Sequence, residues 1–407
     1  MTNVLVCGGG SGGHVYPALA LLQALGAHPS VKQVGFVGTR RPLERRLFQG
    51  RGDPGRGNQG CDEIAHFSIQ TGHFRGGPWH NLTSAVACGV GLFQSLRILQ
   101  RFKPGVILGT GGYSSVPVLA AGLAMGIPTM TFEPNALMGL ANRVLAPYVD
   151  RLFYSDPSAV EEIGMENAVQ SGVPLRQQLW QTQRHPALYR RWGLDPGRKT
   201  LLALGGSLGA QALQRLAVSV GRALGDDCQI LISLGLNHQE LLPSMKALAA
   251  GCPRLHVVPY IDRMDEALAL ADAAVCRAGA VTLAELSACG VPALVVPWEG
   301  AADAHQLHNA MRFAQSGAGM VLRESELNTD AALEALTRLL APGQLSSMHC
   351  ISFAFGSLHR KACARILKEV EPYLDGKVSF YRHWRRRHER LGQGVLAATP
   401  PAARVQH

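Results

Sequence analysis

Along this chain, short continuous runs of apolar residues alternate with longer stretches in which apolar side chains recur at helical spacing. The short runs, at residues 3–7, 33–37, 106–108, 129–132, 201–204, 230–234, 256–259, 273–276 and 293–296, predict strands buried on both faces. Stretches such as 15–25, 210–224 and 281–288 predict the helices between them. Alternation of this kind builds parallel sheets covered by helices on both sides, an α/β architecture. The pattern restarts mid-chain. Residues 177–198 are polar and broken by Pro186 and Asp195-Pro196-Gly197, after which KTLLALGGSLGAQALQRL repeats the opening order of strand, glycine loop and helix. Two Rossmann-like domains joined near residue 173 follow from that restart.

Composition narrows the class. Of 407 residues, 47% are apolar and 17% charged, with 46 glycines, which excludes a disordered chain or a coiled coil and suits a glycine-rich α/β enzyme. No run of about 18 apolar residues is present, so no membrane-spanning helix is expected. The opening MTNVLVCGGGSGGH lacks the basic region and long apolar core of a signal peptide. Nine scattered cysteines without a Cys-x-x-Cys pair argue against a zinc site or disulfide framework and for reduced thiols. Charge is less evenly spread. The formal total is +10, and residues 377–407, with seven Lys/Arg and one Glu, hold +6 of it. A basic tail on a near-neutral body suits an anionic surface or plain solvation. Within it Phe380, Trp384 and Leu391 fall near one helical face among arginines, the pattern of an interfacial helix or of an ordinary capping one. Residues 49–61, QGRGDPGRGNQGC, predict an extended surface loop.

Five segments after predicted strands carry candidate chemistry, where a parallel sheet gathers its ligand-binding loops. Gly8-Gly9-Gly10-Ser11-Gly12-Gly13-His14 lets the backbone approach a ligand and presents helix N–H groups to an anion. It is not the dinucleotide fingerprint, because the next strand ends in Gly38-Thr39-Arg40 rather than an acid. His14 fits a catalytic base, a hydrogen bond to substrate, or a helix-start residue. Gly109-Thr110-Gly111-Gly112-Tyr113-Ser114-Ser115 is expected to converge on the same crevice. Gly205-Gly206-Ser207-Leu208-Gly209-Ala210 opens the second domain, and its amides and the Ser207 hydroxyl suit a pyrophosphate. In the segment from Arg277 to Glu285, the acid falls in the first turns of a helix. There it can accept hydrogen bonds from a ribose diol or serve only the helix dipole. The segment DAHQLHNA, from residue 303, offers amides and imidazoles for sugar hydroxyls, or a polar helix start.

In order and spacing, GGSGGHVYPALA, GTGGYSSVPVLAA, FEPNALMGLANRVLA, SGVPLR, LALGGSLGAQALQ, PYIDRM, CRAGAVTLAEL and DAHQLHNA resemble the MurG family of UDP-N-acetylglucosamine transferases, which complete the lipid-linked peptidoglycan precursor. The resemblance implies a GT-B glycosyltransferase fold, two Rossmann-like domains facing a central cleft. Its parts would be an acceptor- and membrane-facing domain at 1–172, completed by helices at about 350–375, a UDP-sugar domain at 173–345 and a basic tail at 376–407. It implies that Arg176 and Ile261 frame the uracil and that Ser207 contacts the pyrophosphate. The turn Ala280, Val281, Thr282, Leu283, Ala284 and Glu285 would embrace the nucleotide, with Glu285 on the ribose. Gln306, with His305 beside it, would read the N-acetylglucosamine hydroxyls. Ser11, Gly12, Gly13 and Asn135 would complete the donor site, with His14 close to the reacting centre.

The implied reaction is inverting transfer, without a covalent intermediate, from UDP-N-acetylglucosamine to the 4-hydroxyl of undecaprenyl-diphosphate-linked muramyl-pentapeptide, lipid I to lipid II. No Asp-x-Asp metal motif is present, so loop amides would stabilise the leaving diphosphate, and neither metal nor cofactor is expected. A general base would help, and His14 and Glu133 both qualify. The family's usual His-Glu-Gln-Asn reads Phe132-Glu133-Pro134-Asn135 here, a change expected to bear on acceptor handling.

A lipid acceptor also requires contact with a bilayer, implying a peripheral protein on the cytoplasmic face of a bacterial inner membrane. Residues 71–80, with Phe74, Arg75 and Trp79, precede a helix in which Leu82, Val86, Phe93 and Leu96 share a face. That patch and the tail are expected to touch anionic lipid; the alternative is an ordinary core-facing helix. Rival readings are a UDP-sugar transferase with another glycolipid or natural-product acceptor, a UDP-N-acetylglucosamine epimerase, and a non-catalytic nucleotide-sugar-binding paralogue. Nucleic acid is not an expected partner, because no base-reading module accompanies the tail.

Overall fold

The computed structural model describes residues 1–48, 64–72, 78–161, 165–300 and 304–374, without the side chains of 78–82. Two parallel sheets organise it. The first contains β1 (Thr2–Cys7), β2 (Val31–Gly38), β3 (Ala65–Ser68), β4 (Pro104–Gly109), β5 (Thr129–Glu133), β6 (Arg151–Tyr154) and β7 (Ala168–Gln170), in the order β3-β2-β1-β4-β5-β6-β7. The second contains β8 (Lys199–Leu204), β9 (Cys228–Ser233), β10 (Leu255–Val258), β11 (Ala273–Cys276), β12 (Ala293–Val295) and β13 (Gly319–Val321), in the order β10-β9-β8-β11-β12-β13. Each order reverses at one point, between β1 and β4 and between β8 and β11. Loops diverge there and leave a crevice at the strands' carboxyl ends.

The central strands form where the apolar runs are continuous. Val4, Leu5, Val6 and Cys7 of β1 are wholly buried, as are Ala273, Ala274 and Cys276 of β11. Strands β3, β6, β7 and β13 were not expected from the sequence pattern. They are short, and β3 and β7 have no fully buried residue, so no long apolar run marks them.

The domains are joined where residues 171–176 cross one way and the chain returns at 356–361. Helix Pro342–Phe355 packs on helix Ala280–Ala288 of the second domain, whereas helix Ala362–Leu374 packs on helix Gly12–Gly26 of the first. The two crossings are stitched together: Val173 N–H donates to His359 Nδ1 at 3.0 Å, and Arg365 Nη1 donates to the Ser171 carbonyl at 3.0 Å. Burial pushes the His359 imidazole down to about 4, with Arg360 and Arg365 adding to the effect, so it stays neutral and its lone pair can accept that bond.

Candidate active site

Loops leaving β1, β4 and β5 face loops leaving β8, β11 and β12 across a cavity of about 870 Å³. Helices Gly12–Gly26, Gln211–Ala223 and Ala280–Ala288 begin at Ser11, Ala210 and Gly279, and none of these residues caps its helix with a side chain. Uncapped N–H groups and the helix dipole make such ends attractive to an anion. In loop 205–210, which lines the cavity, Gly206 adopts φ +77° and no atom lies within 4 Å of the position its Cβ would take. The Gly12 amide donates to Ser207 Oγ at 3.3 Å, so the glycine loops of the two domains touch.

The second-domain wall carries charge suited to a nucleotide. Glu285 is 9% exposed, and its Oε1 lies 3.9 Å from Arg176 Nη2. Burial pushes its carboxyl up to about 7, partly opposed by the Arg176 cation. Gln306 Oε1 accepts from the Trp298 amide at 3.0 Å, which orients the side chain and leaves its NH₂ group to donate elsewhere.

The first-domain wall is built around His14. Its Nδ1 lies 2.9 Å from the Thr110 carbonyl oxygen, which can only accept. Nδ1 therefore carries the hydrogen, and Nε2 keeps a lone pair in the neutral ring. Burial lowers the affinity of this imidazole for a second proton, partly opposed by the Thr110 carbonyl and the Glu133 charge. Gly112 makes the space: at φ +78°, a Cβ there would sit 2.9 Å from His14 Cδ2. Part of the GTGGY loop is thus a slot for a side chain.

Glu133, 2% exposed, spends its carboxylate on its own neighbours. Oε1 accepts from Asn135 N–H at 3.0 Å and Asn135 Nδ2 at 2.9 Å, and Oε2 accepts from Gly139 N–H at 3.0 Å and Asn142 Nδ2 at 2.8 Å. Asn309 then ties this loop to the second domain. Its Oδ1 accepts from Ala136 N–H at 2.9 Å, and its Nδ2 donates to Asn135 Oδ1 and the Ala278 carbonyl, each at 3.1 Å.

The cavity is lined by Ser11, Gly12, Gly13, His14, Glu133, Asn135, Arg176, Ser207, Ile261, Ala280, Val281, Thr282, Glu285, His305 and Gln306. Leu283 and Ala284 are not among the lining residues. They lie on the core-facing side of helix Ala280–Ala288, 6% and 2% exposed. Phe132 departs from the acceptor-handling expectation in the same way: it is 1% exposed inside the first core, and only Pro134 of the altered tetrapeptide pair reaches the cavity. Phe74, Arg75, the 49–61 loop and the tail lie outside the described residues, as does the side chain of Trp79. In helix Pro78–Phe102, Val86 and Phe93 are exposed, while Leu96 is half-buried against the first core. Sequence reasoning gave no role to Tyr16 and Tyr260, which also line the cavity, and offered Asn309 only within the DAHQLHNA segment. Asn309 lies one helical turn beyond Gln306, a spacing that puts both amides on one helix face. Among the described residues, no three His, Cys, Asp or Glu side chains gather as a metal site.

Facing Rossmann-like sheets, with helix N-termini on both walls of the cleft between them, form the GT-B architecture, and the family matches make it a glycosyltransferase. The glycosyltransferase family 28 N-terminal domain matches residues 4–154 and the family's C-terminal domain matches residues 200–360. The chain is 34% identical over 351 residues to the UDP-N-acetylglucosamine–N-acetylmuramyl-(pentapeptide) pyrophosphoryl-undecaprenol N-acetylglucosamine transferase of Halothermothrix orenii, covering 84% of this chain and 91% of that one. A protein of the same description from Sorangium cellulosum is 34% identical over 376 residues, covering 91% and 88%. The crystal structure of Acinetobacter baumannii MurG superposes with a TM-score of 0.68 at 25% identity, covering 91% of this chain and 99% of that one. The chain belongs to the MurG family within glycosyltransferase family 28.

Proposed function

We propose that this enzyme transfers N-acetylglucosamine from UDP-N-acetylglucosamine to the 4-hydroxyl of lipid-linked N-acetylmuramyl-pentapeptide, with inversion at the anomeric carbon. The observation that carries the mechanism is the His14–Thr110 hydrogen bond, which leaves Nε2 as the acceptor nitrogen of a buried, neutral imidazole. In this reading Nε2 takes the proton of the attacking hydroxyl as the oxygen bonds to the anomeric carbon, and the bond to UDP breaks. Glu133, already holding four hydrogen bonds, keeps the 134–139 loop in place beside His14 and is the poorer base.

Negative charge grows on the departing diphosphate. The open helix ends at Gly279 and Ala210, the 205–210 loop amides and the Ser207 hydroxyl favour that charge more in the transition state than before it. Arg176 and Ile261 would flank the base, Glu285 would accept from the ribose diol, and Gln306 with His305 would read the sugar. Ser11, Gly12, Gly13 and Asn135 would close the site from the other side.

Contact with an anionic bilayer is proposed through helix Pro78–Phe102. Val86, Val90 and Phe93, 62%, 38% and 54% exposed, recur at helical spacing, and the Arg97 guanidinium lies 4.4 Å from the Phe93 ring centroid. No described helix is long and apolar enough to cross a membrane. Flotation with anionic liposomes checks the surface: Val86→Asp/Phe93→Asp should stay with the soluble fraction, and undiminished flotation contradicts the proposal. The activity itself is tested by UDP release from UDP-N-acetylglucosamine with a short-chain lipid-linked muramyl-pentapeptide. Release that requires this acceptor supports the reading, and binding without release across several acceptors contradicts it.

A further inference from the structure

Four side chains that the mechanism leaves aside, Tyr16, Tyr260, Arg46 and Asp262, meet across the domain boundary at one end of the cavity. Tyr16, two residues after His14 in helix Gly12–Gly26, has its hydroxyl 2.6 Å from that of Tyr260, beside Ile261 in the second domain. Arg46 of the first domain reaches Asp262 with two hydrogen bonds, Nε–Oδ1 at 3.0 Å and Nη2–Oδ2 at 2.6 Å, and its guanidinium lies 4.8 Å from the Tyr260 ring centroid. The ring of Tyr16 also carries the Arg176 guanidinium, 4.9 Å from its centroid, while the same guanidinium pairs with Glu285 at 3.9 Å. A first-domain ring is thus held between two groups of the wall that faces the nucleotide.

We infer that Tyr16 and Tyr260 are positioning residues for donor binding: their hydrogen bond sets the His14 helix against the nucleotide wall and keeps Arg176 beside Glu285. The inference rests on the donor site proposed above. Burial raises both phenols above the ordinary tyrosine range, so the contact is a neutral O–H···O bond throughout the working pH range. It is therefore insensitive to salt, unlike the more exposed Arg46–Asp262 pair beside it. Across the same cleft the Gly12 amide meets Ser207 Oγ at 3.3 Å, a longer contact than the tyrosine pair, and Asn309 bonds Ala136 and Asn135 at 2.9 and 3.1 Å. When the phenol bond is lost, the start of the His14 helix is held less closely to the nucleotide wall, although the Asn309 and Arg46–Asp262 bonds remain. A latch that keeps the donor out would have the same geometry but the opposite effect on affinity.

The test is a double-mutant cycle read by UDP calorimetry on the full chain: Tyr16→Phe, Tyr260→Phe and the pair. Phenylalanine keeps each ring, and a thermal melt of each variant close to that of the parent verifies the fold. Each single substitution should weaken UDP binding about three- to tenfold, the scale of one neutral hydrogen bond. The double variant should be no weaker than the weaker single, because both substitutions remove the same bond. In turnover assays KM for UDP-N-acetylglucosamine should rise by the same factor, with kcat at saturation within about twofold. Unchanged or tighter UDP binding in either single variant overturns the inference, as does a double variant whose loss is the product of the two. A parent protein that binds no UDP would instead sink the proposed donor site itself.

Discussion

The two switch points of this molecule carry segments of the same grammar, a strand, a glycine loop and a helix, yet the glycines do different work. After β8, Gly206 takes a positive φ with nothing near its missing side chain, and the loop it shapes lies open to the cavity. After β4, Gly112 also takes a positive φ, but here the His14 ring occupies the space a side chain would need. One loop leaves open space on the cavity wall, where the donor is proposed to bind. The other makes room for the proposed base, and its Thr110 carbonyl also decides which ring nitrogen of that base is left unprotonated. A glycine motif therefore announces that something must come close to the backbone, without saying whether it comes from solution or from the same chain.

The sharpest way to break this contrast is at His14. His14→Ala should lower kcat by about 10²- to 10⁴-fold, as expected for loss of a general base, in assays saturated with both substrates. A loss under tenfold would shift the role toward Glu133. The glycines come next. Gly112→Ala brings a methyl against the imidazole and should lower kcat by about ten- to a hundredfold, whereas Gly206→Ala meets only backbone strain of about 1–2 kcal/mol. Its effect should appear in KM for the donor, at most about tenfold, with kcat nearly kept. Equal kcat losses in both variants would erase the distinction between the loops.

A smaller effect is expected from pH. The Glu285 carboxyl is raised to about 7 by burial, so its ionised fraction, and with it the capacity to accept from a ribose diol, grows as pH rises through that value. Donor affinity should improve up to about tenfold between pH 6 and 8, and Glu285→Gln should flatten the curve. For folding the sign is opposite. Because the folded pKa lies above the ordinary value of 4.5, this group's contribution to folding falls as pH rises from about 4.5 to about 7 and stays unfavourable above that, so Glu285→Gln should not lose thermal stability at pH 8. The smallest expected effect on catalysis belongs to Phe132→His. That side chain is buried in β5, so the substitution should lower the melting temperature and leave KM for the acceptor within about twofold.

The central strands were legible because a strand covered by helices on both faces must be apolar at successive positions, as Val4 to Cys7 and Ala273 to Cys276 are. The flanking strands Ala65–Ser68 and Ala168–Gln170 have no fully buried residue, so a pattern reading passes them over. The cavity loops were legible for a related reason: glycine-rich segments after strands at a switch point have few other uses. What stayed hidden depends on contacts distant in sequence. The four donors around Glu133, on which the proposed preference for His14 as base rests, become visible only when the 134–139 loop folds back on it. Tyr16 and Tyr260, 244 residues apart, meet only because the second domain closes on the first. Leu283 and Ala284 show the converse, a helical segment read as a binding turn although two of its residues face the core.

If one wall holds the donor and the other supplies the base, binding and turnover must separate by mutation. Calorimetric titration of UDP into His14→Ala and Glu285→Ala, side by side with the parent, measures that separation directly. His14→Ala should bind UDP within about twofold of the parent, and Glu285→Ala should bind about ten- to a hundredfold more weakly, the scale of hydrogen bonds to a charged group. Equal weakening in the two variants, or full affinity in Glu285→Ala, would contradict the division of labour between the walls.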